Sequence, residues 1–120
     1  MYNHQPANYV CPICNLNKNI ETEYNKIDDI VYQADKILAI ISPKWWPYNP
    51  GHVLVVSREH YENIYDIPQD VLQEIITVSQ QISIALKVVY ECTGTSIRQH
   101  NEPAGNQDMW HFHLHVFPRW

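Results

Sequence analysis

The sequence predicts an α+β fold in which a mostly antiparallel β-sheet packs against one long helix. Three observations carry that reading. From Pro68 to about Glu91, the residues Leu72, Ile75, Ile76, Ser79, Ile82, Leu86 and Val89 recur at helical spacing. Such a stripe needs a sheet to cover it. Ile30 to Gln33, Ile37 to Ile41 and His52 to Ser57 are short runs rich in β-branched and apolar residues, which suit strands. In the last eleven residues, His111, His113 and His115 alternate with Phe112, Leu114 and Val116. A strand sends successive side chains to opposite faces, so the histidines share one face and the apolar set takes the other.

Taken in order, residues 1–10 show no periodicity and read as an extended arm. The first two runs are separated by Ala34-Asp35-Lys36 and form a hairpin. The loop from Ser42 to Gly51 holds three prolines among Trp45, Trp46 and Tyr48, which excludes regular structure. Its aromatic side chains either pack on the core or wall a flat pocket for a nucleobase. Pro68 is placed in the first turn of the long helix, where its missing N–H does no harm. Gly94 stands where a helix terminator is common. Ser96 to Asn101 is a fourth strand, and Glu102 to Asp108 is a loop returning to the histidine strand. The layout is hairpin, strand, helix, strand, loop, strand, and it forms one domain over 1–120, with an arm over 1–20 that carries a cysteine pair.

Composition narrows the function. The length of 120 residues suits one compact core. No apolar run approaches the ~20 residues needed to span a bilayer. Met1 to Asn8 lacks the layout of a signal peptide, which points to the cytoplasm. A net charge of −5 argues against a broad basic surface for nucleic acid while leaving a local anion site open. Cys11-Pro-Ile-Cys14 is a close pair, and Cys92 stands alone as a small buried residue. The pair is half of a zinc site, a redox motif or two free thiols. Asn15 to Asn19 reads as a loop, whereas a redox motif should open a helix, so zinc is the preferred reading.

Adjacent histidines on a strand stand about 7 Å apart and the outer two about 13 Å apart, so the three do not readily share one ion. An imidazole attacking phosphorus divides one displacement into two, through a phosphoryl- or nucleotidyl-histidine. The chemistry needs a neutral nucleophile, a group to protonate the leaving group and donors for the nonbridging oxygens. His113 and His115 suit the first two roles, and the backbone N–H groups of the Gly105 to Asp108 loop suit the third. The competing reading is a polar sheet face exposed to water.

The C-terminal stretch His111-Phe112-His113-Leu114-His115-Val116-Phe117 resembles the signature of the histidine triad superfamily, in which three histidines alternate with apolar residues. The resemblance extends to the Cys11/Cys14 pair, the hairpin, Pro50-Gly51-His52-Val53-Leu54-Val55-Val56, His60 and Asn101. It implies a nucleotide-binding α+β fold, usually a homodimer, that hydrolyses or transfers nucleotides such as diadenosine polyphosphates and adenosine phosphoramidates. By motif position His113 is the nucleophile on the α-phosphate, and His115 contacts the phosphate and leaving-group region. Asn101 and Gln107 contact sugar and phosphate, and His52 supports the site. A satisfied histidine at a strand start is an equal reading of His52.

The resemblance also implies a structural zinc ion held by Cys11, Cys14, His60 and His111. Two sulfurs and two nitrogens close a tetrahedral site. The sequence departs from the pattern at two places. Asp108 stands where many members carry Ser or Thr, and a carboxylate there repels phosphate unless it turns away or finds another partner. Ser42, or Lys44 in a longer loop, stands where an acidic ribose-binding residue is common, and Lys44 is also suited to meeting extra phosphates. The alternative to an enzyme is a nucleotide-binding or protein-interaction module with little turnover.

Overall fold

A computed structural model describes residues 2–44 and 50–120. The expectation that the Ser42 to Gly51 loop presents aromatic side chains falls on residues outside that set. The elements are α1 (Pro12–Asn17), β1 (Ile30–Gln33), β2 (Ile37–Ile41), β3 (Val53–Ser57), α2 (Gln69–Tyr90), β4 (Gly94–Gln99) and β5 (His113–Arg119). The five strands form one sheet in the order β1-β2-β3-β5-β4, and every neighbouring pair is antiparallel. β3 and β4 therefore run parallel with a strand's width between them, bridged by α2. The last strand fills that gap, and this puts the histidine strand inside the sheet.

The sheet has two covered faces. On one, Ile37, Ala39, Val53, Val55, Leu114 and Val116 pack against Val71, Ile75, Val78 and Leu86 of α2, together with Phe112 and Cys92. On the other, Leu38, Ile40, Leu54 and Val56 pack with Cys11, Ile13 and Leu16. His113 pairs with Val56 and His115 with Leu54, so both imidazoles belong to this second face. Burial of so much apolar surface at about 25 cal/mol per Å² is the main term holding the two layers together.

Several local expectations change. The α2 stripe turns toward Val71 and Val78, while Ile76 is 52 % and Val89 is 70 % exposed. The side of the helix that is covered is set by the sheet residues it meets. Gly94 does not end α2: Glu91 does, in the left-handed region at φ 51, and Gly94 opens β4 two residues before the expected start. The stretch after Cys11 is not a loop. Pro12 sits in the first turn of α1, Cys11 Sγ accepts the Cys14 N–H at 3.4 Å, and Ile13 and Leu16 are buried beneath it. Those contacts hold a six-residue helix that the local sequence alone would leave marginal. No described helix is long and apolar enough to cross a membrane.

The arm over residues 2–10 has no helix or strand but is fastened down. The backbone N–H groups of His4 and Gln5 donate to the Glu62 carboxylate at 2.6 and 2.9 Å. Asn63 Nδ2 donates to the Tyr2 carbonyl at 2.9 Å, and Tyr9 Oη accepts the Trp110 N–H at 3.2 Å. Each bond ties the arm to the approach to β5 or to the segment after β3.

Candidate active site and metal centre

The histidine row divides at the start of β5. His111 precedes the strand in a bend, completely buried, and points toward the cysteines. The Phe112 N–H donates to the Tyr61 carbonyl at 2.6 Å, which draws the segment carrying His60 against it. Cys11, Cys14, His60 and His111 place one ligand atom each within 4.8 Å of one another. His111 Nδ1 lies 3.3 Å from Cys11 Sγ, 3.9 Å from Cys14 Sγ and 3.1 Å from His60 Nδ1, and His60 Nδ1 lies 3.4 Å from Cys14 Sγ. Tetrahedral zinc with bonds of about 2.05 Å to nitrogen and 2.3 Å to sulfur sets donor edges of roughly 3.3 to 3.8 Å. The observed edges bracket those values.

The tautomers agree with a metal at this point. His111 Nε2–H donates to the Ser57 carbonyl at 2.7 Å, and His60 Nε2–H donates to Gln5 Oε1 at 2.8 Å. These bonds assign the Nδ1 lone pairs of both rings to the shared centre. Two such lone pairs at 3.1 Å repel unless a cation lies between them. Burial pulls His111 down to about 4 and lowers His60 as well, so both rings are neutral and able to ligate. Burial, with Cys14 beside it, pushes the Cys11 thiol up to about 12. A thiolate there therefore requires a positive neighbour, which a divalent ion supplies. The four residues can hold a metal ion. The helix at Cys11-Pro-Ile-Cys14 removes one objection to redox chemistry, but the two imidazoles gathered onto the pair favour metal binding. An open cleft of about 400 Å³, lined by Gln5, Tyr9, Lys18, Cys14 and His60, adjoins this end of the molecule and does not reach His113.

His113 and His115 lie on the other side of the division. Their ring centroids are 4.9 Å apart, closer than a flat strand allows because both rings lean together. His113 is 3 % exposed, and its Nδ1–H donates to the His111 carbonyl at 2.7 Å. That bond leaves Nε2 as the outward nitrogen. His115 Nδ1 is 3.4 Å from His52 Nε2, and its ring stacks on Phe117 at 5.5 Å. Burial first, then the imidazoles of His113, His52 and His100, lowers His115 to about 3. Burial, then His113, lowers His52 to about 4. Both are neutral at pH 7. His52 is buried, and among the described residues its Nδ1 has no hydrogen-bond partner.

The remaining expected residues sit close by in varied roles. Asp108 is exposed but reaches over the row, with Oδ1 3.4 Å from His113 Nε2. When the His113 ring is protonated, a hydrogen bond from its Nε2–H pulls the Asp108 carboxyl down to about 2 against the opposing effect of burial, with the charges of His113, protonated His115 and Lys44 adding to it. Gln107 is a strut of the loop: Nε2 donates to the Glu62 and Met109 carbonyls at 2.6 and 3.0 Å, and Oε1 accepts the Glu102 N–H at 2.9 Å. Asn101 exchanges amide bonds with Gln99 and accepts the Ile64 N–H at 2.8 Å. Ser42 Oγ closes a local turn on Lys44.

The loop backbone does not supply the expected set of donors. The N–H groups of Gly105 and Gln107 bond to the Glu102 carbonyl and that of Asn106 to Pro103, because the loop coils into a 3₁₀ turn. Asp108 alone keeps its N–H outside this set. One neighbour was missed from sequence: His100 donates Nδ1–H to the Gly105 carbonyl at 2.9 Å and lies 5.7 Å from the His115 ring. Its place beside Asn101 at the end of a strand facing the histidine row was the available signal.

The HIT domain family profile matches residues 23–120. The chain belongs to the histidine triad family. It is 34 % identical over 111 residues to an uncharacterised HIT-like protein of Saccharolobus solfataricus, covering 92 % of this chain and 75 % of that protein. Among solved structures it is similar to a zinc-bound histidine triad family protein from Mycobacterium smegmatis, with a TM-score of 0.78 and 25 % identity over 92 % of this chain and 75 % of that one. A hypothetical histidine triad nucleotide-binding protein from Sulfolobus tokodaii gives a TM-score of 0.77 at 27 % identity, covering 92 % and 69 %. Membership of the HIT family places this chain in the superfamily that includes nucleotide hydrolases and transferases, and the five-stranded antiparallel sheet with its long helix is the fold these neighbours share.

Proposed function

We propose that this HIT protein cleaves purine nucleotide derivatives, nucleoside phosphoramidates or dinucleoside polyphosphates, at the α-phosphate through a covalent nucleotidyl-His113 intermediate. The bond from His113 Nδ1–H to the His111 carbonyl carries the reading, because it fixes the tautomer whose Nε2 lone pair faces outward. Nε2 attacks phosphorus and the leaving group departs. Water then attacks phosphorus, the bond from phosphorus to Nε2 breaks, and the nucleoside monophosphate and the free imidazole are released with one proton passing to solvent. His115, neutral and aligned by His52, presents Nε2–H to the departing atom. Asn101 and Gln107 shape the loop and edge that the sugar and phosphate approach, and Lys44 and the Asp108 N–H supply positive and donor groups.

Cys11, Cys14, His60 and His111 would hold structural zinc. The ion's contribution is to tie α1 and the arm to the start of β5, and so to hold the carbonyl that sets the His113 tautomer. A homodimer is supported by apolar side chains left exposed on α2 and the edge strand β4: Ile84 at 60 %, Val88 at 74 % and Ile97 at 49 %. Three free cysteines suit a reducing cytoplasm. The second reading, a nucleotide-binding or protein-interaction module with little turnover, is favoured by one observation, the Asp108 carboxylate over the outward nitrogen of His113.

Incubation with adenylate-labelled phosphoramidate and diadenosine polyphosphate, followed by acid-free trapping, separates the two. The enzyme is expected to become labelled and turn over, and His113→Ala to lose both properties. Equal labelling and turnover by the wild type and His113→Ala refute the mechanism, and binding without turnover selects the second reading.

A further inference from the structure

Asp108 is the residue that the family chemistry leaves unexplained. A phosphate-handling site gains from donors and positive charge, yet here a carboxylate oxygen stands 3.4 Å from the attacking nitrogen. His113 is 3 % exposed, whereas Asp108 is 67 % exposed, so the carboxylate forms the rim over a buried ring. The groups that act on it are His113, His115 and Lys44, with Tyr9 on the arm also within electrostatic reach. Its strongly acidic carboxyl cannot serve as a proton donor near neutral pH. Its effect is that of a fixed negative charge.

In-line attack places phosphorus about 3 Å from Nε2 and the leaving atom about 5 Å from it. The Asp108 oxygen therefore lies no more than about 8 Å from the leaving atom, within the screening length of physiological salt. Each additional negative charge on the leaving side is penalised by a factor of several near a carboxylate exposed to water. A neutral or positively charged leaving group escapes that penalty.

We propose that Asp108 is a specificity-determining residue that selects against polyanionic leaving groups, directing the enzyme to nucleotides whose leaving group is an amine. The inference rests on His113 being the nucleophile. In the favoured reaction the Nε2–phosphorus bond forms as the phosphorus–nitrogen bond breaks. The leaving nitrogen takes one proton, passed from solvent through His115, and departs as an amine that solvent protonates to ammonium. Water then cleaves the phosphorus–Nε2 bond, gives the monophosphate and returns its surplus proton to solvent. A dinucleoside polyphosphate would instead expel a multiply charged nucleotide past the carboxylate.

The test compares kcat/KM for an adenosine phosphoramidate of a primary amine with that for diadenosine tetraphosphate, at low and at physiological salt. It uses wild type, Asp108→Asn, Asp108→Ser and Asp108→Glu. Wild type and Asp108→Glu are expected to prefer the phosphoramidate, more strongly at low salt. In Asp108→Asn and Asp108→Ser the preference is expected to fall by about tenfold or more, with its salt dependence reduced. A purely structural role would move both substrates together and leave the ratio and its salt dependence alone. An unchanged ratio with His113-dependent turnover intact overturns this proposal and spares the nucleophile. Cleavage of neither substrate by the wild type overturns both.

Discussion

Replacing His52 with phenylalanine is expected to remove one of several comparable contributions to this protein's sensitivity to mild acid, alongside those of His111 and His115. His52 is 1 % exposed, and its ring lies 4.6 Å from Phe117. Burial, then the neighbouring His113, lowers its pKa from 6.5 to about 4. The unfolded chain takes up this proton near pH 6.5 and the folded chain only near pH 4. Between those values the unfolded state holds more protons, so stability falls as the pH falls. The contribution is whole above pH 6.5, declines through the interval and changes no further below about pH 4. At about 1.4 kcal/mol per pKa unit the gap amounts to roughly 3.4 kcal/mol, of which about 2 kcal/mol is lost between pH 7 and pH 5.

Phenylalanine fills the same flat slot and does not titrate. It forfeits a 3.4 Å contact with His115 Nδ1 but also removes a buried Nδ1 that has no partner among the described residues, an atom whose burial costs about 1–3 kcal/mol. Crowding by the larger ring costs a similar ~1–3 kcal/mol, so stability at pH 7 is expected to change little. Urea unfolding followed by tryptophan fluorescence at pH 7, 6 and 5 measures the difference. Metal release in acid is common to both proteins and cancels. The variant is expected to gain about 2 kcal/mol on the wild type across this range. Parallel losses of stability in the two proteins would refute the argument.

Two further outcomes follow from the geometry. Protein purified without chelator is expected to carry close to one zinc per chain. Chelation or Cys14→Ser is expected to lower Tm by about 10 °C or more, because binding at a four-donor site is linked to folding; metal content below half an equivalent with Tm unmoved would contradict the site. Gly51→Ala is expected to cost about 1–3 kcal/mol, read from chemical denaturation, since Gly51 has φ +72 and an added methyl would strike the Tyr90 ring. A neutral result would show that this turn relaxes.

Strict alternation through the last strand was sufficient, from sequence, to separate a histidine face from an apolar face, because the strand period is 2 and does not depend on context. That is why Leu114 and Val116 meet α2 while His113 and His115 do not. The long helix was legible for the same kind of reason, but its exact buried stripe was not. Val71 and Val78 replace Ile76 and Val89 because the sheet beneath decides which of the helix's apolar residues are covered. The six residues after Cys11 were misread, since their helix depends on burying Ile13 and Leu16 against β2 and β3.

The sequence by itself determined the fold class, the two-faced strand and the donor types that can bind a metal. All of these follow from local periodicity and side-chain chemistry. Only the tertiary structure decided that β5 slides between β3 and β4, because that pairing joins segments distant in the chain. It also decided that His111 leaves the row to meet Cys11, Cys14 and His60, that His100 joins His115, and that Asp108 finds its partner in His113 rather than turning away. Each is a distance between residues remote in the chain or carried on different elements. Such distances are fixed when the two layers close on their core.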